Sequence, residues 1–110
     1  MKSIYRYELP DTVNEIQMPT GAEILHVGLT RQFNKDNSSK QVCSVWAKVD
    51  TTAHDETRKF VIFGTGANLD ETENFDMKYI GSFQRADMFT FHVFEVFKDT
   101  AELVNGLNIG

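Results

Sequence analysis

The stretch Gln41-Val42-Cys43-Ser44-Val45-Trp46-Ala47-Lys48-Val49-Asp50 decides the fold class. Cys43, Val45, Ala47 and Val49 fall on one side of an extended chain; Ser44, Trp46 and Lys48 fall on the other. That period of two belongs to a half-buried β-strand, whereas a helix would scatter the same four residues around its axis. The alternation recurs on both sides of this stretch. Upstream, Tyr5, Tyr7 and Leu9 alternate with Arg6 and Glu8 over residues 4–9, ended by Pro10-Asp11. A short strand over 14–18 leads into the turn Pro19-Thr20-Gly21. Over 23–31, Leu25, Val27 and Leu29 are expected to face in, with His26, Gly28 and Thr30 facing out. Residues 34–40 lack any apolar side chain, and the wider span 32–41 is expected to be a flexible loop.

Downstream, the pattern predicts a strand over 57–63 closed by Gly64-Thr65-Gly66. A long acidic loop over 67–77, with at most one helical turn, leads to a strand over 78–84 and a tight turn at Arg85-Ala86-Asp87. The last predicted strand, 88–97, is apolar on both faces, with Phe89, Phe91, Val93 and Phe97 on one and Met88, Phe94 and Val96 on the other. Such a strand runs through the middle of a sheet or lies in a subunit interface. Residues 98–110 are expected to be a tail, where Asp99 or Thr100 could cap a short helix and Asn105-Gly106 could stop it. The sequence thus predicts an all-β, mainly antiparallel fold. About seven short strands form a sandwich or partly open barrel, in a single domain over 1–110.

Charge and composition narrow the function. Residues 1–50 carry six basic and six acidic side chains, while residues 51–110 carry five and ten, so the net charge of −5 sits in the second half. An acidic chain repels a phosphate backbone, which argues against direct nucleic-acid binding. No apolar run approaches the roughly 18 residues of a membrane helix. The single cysteine, Cys43, allows no internal disulfide and no Cys/His metal set. No leader-like segment opens the sequence, so Asn37-Ser38-Ser39 has no expected role as a glycosylation acceptor and a cytoplasmic location is expected.

Residues 57–66, Thr-Arg-Lys-Phe-Val-Ile-Phe-Gly-Thr-Gly, resemble a segment of a widespread family of small, uncharacterised tailed-bacteriophage proteins. Similar stretches follow in family order: Ile4–Tyr7, Met18–Leu25, Val45-Trp46-Ala47, Tyr79–Gln84 and Phe91–Glu95. The sequence departs from the family in its longer polar loop at 32–41 and in the tail after Glu95. The resemblance implies a phage or prophage origin, and hence a host-cell cytoplasm. It implies no catalytic residues.

Several groups are candidates for chemistry. Arg58 or Lys59, the Gly64-Thr65-Gly66 turn and the ring of Trp46 would together hold a small anion, by charge, free backbone N–H groups and stacking. Against this stand ordinary roles: a tight turn at the glycines, and a cross-strand ion pair to Glu8 or Glu15. The acidic loop with Asp70, Glu71, Glu73 and Asp76, anchored by Phe75, would meet a basic partner or simply remain solvated. Met88, Phe94 and Val96 are the candidate interface of a homodimer. His26, His54 and His92 share no metal-ligand spacing, and the position of Cys43 on an apolar face argues against a nucleophile. No metal or cofactor is therefore expected, and no enzyme. The expected function is that of a small protein which binds and inhibits a host factor, such as a defence protein. The alternative is a sponge for a small anionic ligand such as a signalling nucleotide.

Overall fold

Strand pairing follows the alternation. The computed structural model describes residues 1–73 and 75–97. Seven strands, all paired antiparallel, form two sheets: β1 (Lys2–Leu9), β2 (Val13–Pro19), β3 (Glu23–Phe33), β4 (Ser39–Asp50), β5 (Asp55–Gly64), β6 (Met77–Gln84) and β7 (Thr90–Val96). One sheet has the order β1-β4-β3 and the other β2-β5-β7-β6. They make an all-β sandwich with no closed barrel. The only helical piece among the described residues is one 3-10 turn, Asp70–Thr72, inside the acidic connection where a single turn was expected.

Register explains the core. Leu9 lies opposite Cys43, Tyr7 opposite Val45, and Val27 also opposite Val45, so the inner face of the three-stranded sheet is set by the odd residues of β4. In the second sheet Asn14 lies opposite Phe60, Phe60 opposite Glu95, and Ile62 opposite Val93. Leu9, Met18, Val45, Val49, Phe60 and Val93 are fully buried between the layers. Each large apolar side chain there stabilises the fold by about 1.5–3 kcal/mol. Asn14 is buried as well, but its amide exchanges two hydrogen bonds with the Asp11 backbone, at 2.7 and 3.0 Å, and so fastens the β1–β2 turn.

Two irregularities re-aim side chains. A register shift between Ile24 and His26 turns Ile24 into the core and leaves Leu25 48% exposed, which corrects the expectation that Leu25 faces in. A second shift, between Tyr79 and Gly81, directs Ile80 inward. Gly81 is where β6 meets β3: a Cβ there would stand 3.1 Å from a Val27 methyl, so any side chain would require Val27 to give by a few tenths of an ångström.

Two further expectations are corrected. The polar span 32–41 is not a long flexible loop: β3 runs to Phe33 and β4 starts at Ser39. The tip is held by Asn34 N–H to the Ser38 carbonyl (2.8 Å) and by the Asp36 carboxylate, which accepts from the Ser38 N–H and hydroxyl. These bonds replace the apolar contacts that the segment lacks. Met88 and Phe89 precede β7 and belong to the turn before it. β7 itself runs through the middle of its sheet, between β5 and β6, one of the two placements expected of a strand apolar on both faces. Val61 and Val96 form a small outer cluster with Val13, Phe63, Met77 and Phe94, and Phe75 from the β5–β6 connection packs onto it. The predicted tail and helix of 98–110 lie outside the described residues.

Candidate functional site

The β1–β2 turn, the β3–β4 tip, the end of β5 and the β6–β7 tip meet at one end of the sandwich. There the sheets part around a cleft of about 370 Å³. Its floor is apolar, from Leu9, Leu29, Cys43 and Ile62. One wall is the stacked pair Phe83 and Phe91, with ring centroids 5.5 Å apart and planes 16° from parallel. Lys40, Gln41, Arg85 and Asp11 line it as well. The Arg85 guanidinium stands 4.6 Å from the Phe91 ring centre, a cation–π contact. Its Nη2 donates to Asp87 at 2.7 Å, and this bond holds the Asp87 carboxyl below the usual carboxylate range. Lys40 joins no ion pair among the described residues.

The β6–β7 tip carries the clearest backbone outlier. Arg85 N–H donates to Phe89 C=O and Met88 N–H to Arg85 C=O, both at 2.9 Å. Met88 sits at φ +75°, a left-handed conformation at a turn position that normally selects glycine. Its side chain is 75% exposed, beside Phe89 at 63%, and at the β3–β4 tip Phe33 is 70% exposed.

At the opposite end of β5, charge is neutralised internally. Arg58 donates through Nε and Nη2 to both Glu95 carboxylate oxygens, at 2.5 and 2.8 Å, and through Nη1 to the Ala22 carbonyl at 2.5 Å. The Glu95 hydrogen bonds raise the Arg58 pKa further above its ordinary value. Both side chains are largely buried.

The anion site suggested by the sequence is therefore spread across the molecule. Arg58 is engaged by Glu95 and Ala22, and Lys59 pairs with Glu15 at 3.0 Å, the cross-strand partner anticipated for this region. Gly64-Thr65-Gly66 is at the far end of β5, starting from its last residue, and Gly66 supplies the positive φ (+93°) of that turn. The Thr65 hydroxyl is within 2.8 Å of His92 Nε2, and His92 Nδ1 is 2.9 Å from the Tyr79 hydroxyl, so both ring nitrogens are engaged. Trp46 stands on the outer face of the other sheet, packed beside His26 with centroids 5.3 Å apart. Asp70, Glu71, Glu73 and Asp76 are exposed around the 3-10 turn, while Phe75 points into the outer cluster. Phe94 and Val96 belong to that cluster; Met88 does not. Burial pushes the Cys43 thiol up to about 12, which leaves it protonated and unreactive at neutral pH.

Sequence reasoning passed over Lys40, Arg85, Phe83 and Phe91 as a group, since each comes from a different strand or turn. A lone carboxylate, Glu95, within the most apolar strand was the available signal for a buried cation.

The match to known families covers nearly all of this framework. Residues 1–103 match the family described as "Domain of unknown function (DUF7352)". The chain belongs to this family. The description assigns DUF7352 domains neither an activity nor a source. No curated protein and no solved structure matches the chain.

Proposed function

We propose that this DUF7352 domain is a non-catalytic interaction protein of phage type that binds and inhibits a host factor, acting in the host cytoplasm. The observation that carries this reading is the group of exposed apolar side chains at the two hairpin tips, Phe33, Met88 and Phe89. Exposed aromatic and Met side chains at the tips of a sandwich supply binding energy when a partner covers them and add little to the fold when none does. The backbone of Met88 supports the same reading, because a left-handed non-glycine residue costs stability that a function would offset. The phage and host elements rest on the sequence resemblance. The exposed carboxylates near Asp70 offer a second, electrostatic contact to a basic partner surface.

The experiment is affinity capture from a lysate of the bacterium that carries the gene, using wild type and a Phe33→Ser/Phe89→Ser variant side by side. The reading expects a host protein retained by wild type, lost by the variant, and inhibited by wild type in its own assay. A partner held equally by both would move the interface elsewhere. A partner left fully active would remove the inhibitory role.

A further inference from the structure

The cleft at the hairpin end combines two properties. Its floor and wall are apolar and aromatic, and the polar groups around it are unequal in charge. Lys40 and Arg85 bring two cations, and Asp11 one carboxylate. Arg85 is partly neutralised by Asp87, but Lys40 has no acidic partner among the described residues. Volumes of about 300–1,000 Å³, lined by apolar groups with a few charged ones, are typical of small-molecule sites.

We propose that this cleft binds a small organic anion, a carboxylate on a ring-sized apolar body. The body lies on Leu29 and Ile62 against the Phe83–Phe91 wall, and the carboxylate faces Lys40 and the free edge of Arg85. The site is separate from the Arg58 region and does not depend on a protein docking at the hairpin tips. Arg85 is already oriented by its stack on Phe91 and by Asp87, so little side-chain freedom is lost when the anion arrives.

The test uses 3-phenylpropionate and its neutral isostere 3-phenylpropan-1-ol, titrated separately into 15N-labelled protein and followed by NMR. Both probes are expected to shift the amides of Leu29, Ile62 and Phe91 saturably. The carboxylate should bind about three- to fivefold more tightly, the size expected of one solvent-exposed charge pair. Lys40→Gln should reduce that preference, with Arg85 keeping a remainder, while leaving the alcohol's affinity unchanged. Asp11→Asn should enlarge the preference, and its turn should survive because Asp11 holds the turn through its backbone. Absence of saturable shifts, shifts centred elsewhere, or equal affinity for the two probes in wild type would overturn the proposal. So would a preference unchanged by Lys40→Gln.

Discussion

The two ends of this sandwich use the same residue type for opposite purposes. At one end Arg58 is buried and chelated by Glu95, with its third donor on the Ala22 carbonyl. At the other end Arg85 lies over an aromatic wall at the surface, held by an equally exposed Asp87. The first arrangement is closed: each guanidinium nitrogen has a partner inside the chain, and the bonds tie β5 to β7 and to the Ala22 carbonyl. The second has unspent capacity, since Lys40 beside it has no acidic partner among the described residues and the cleft below it is apolar. An arginine near a strand is therefore no evidence of a binding site until its partners are known. What differs between these two is burial and the position of the nearest carboxylate.

The largest effect should come from the closed end. Glu95→Gln removes the main counter-charge of the buried Arg58 and should cost about 3–5 kcal/mol, the usual range when one partner of a buried pair is removed. Urea denaturation measures it. A combined Arg58→Met/Glu95→Leu variant should recover most of the loss; failure to recover would mean that the pair contributes more than mutual neutralisation. Next is Gly81→Ala, which drives a Cβ to 3.1 Å from Val27 and should cost about 1–3 kcal/mol by overpacking. Adding Val27→Ala should return part of it.

A smaller change of opposite sign is expected at the open end. Met88→Gly removes the left-handed penalty of about 1–2 kcal/mol, offset in part by the greater freedom of glycine in the unfolded chain. The net result should be a gain below about 1 kcal/mol, seen as a higher midpoint of unfolding. A loss would show that the Met88 side chain packs in the fold. Cys43 adds a pH dependence. The unfolded thiol ionises from its ordinary value of 9.0, but the folded one is pushed up to about 12. The folded state thus binds more protons between those values, so stability is intact below pH 9 and falls as pH rises through that window. Comparing wild type with Cys43→Ala at pH 8 and pH 10.5 isolates this contribution; parallel curves would contradict it.

Much of the framework was legible because it is built on local period-two patterns. Residues 43, 45, 47 and 49 define an inner face that the structure reproduces, and the acidic connection does contain its single helical turn. Most of the misreadings share one cause: a long-range constraint overrode a local pattern. Leu25, Val27 and Leu29 alternate without fault, yet the shift between Ile24 and His26 gives the inward place to Ile24. The polar tip at 34–38 is ordered by its own hydrogen bonds, which composition does not reveal. Phe94 and Val96 share their face with Phe75, some 20 residues earlier, a contact that local patterning does not reveal. The cleft was hidden for the same reason, since Lys40, Arg85 and the two phenylalanines come together only through the pairing of separate hairpins.

The central claim is that the exposed groups of the hairpin end serve binding and not the fold. The most direct measurement is the unfolding free energy of a Phe33→Ser/Lys40→Gln/Phe89→Ser variant in urea, beside wild type and Glu95→Gln. The account predicts that the triple variant keeps wild-type stability within about 1 kcal/mol, as surface substitutions normally do, while Glu95→Gln falls far below both. A triple variant destabilised as much as Glu95→Gln would contradict it and make the hairpin end part of the structural core.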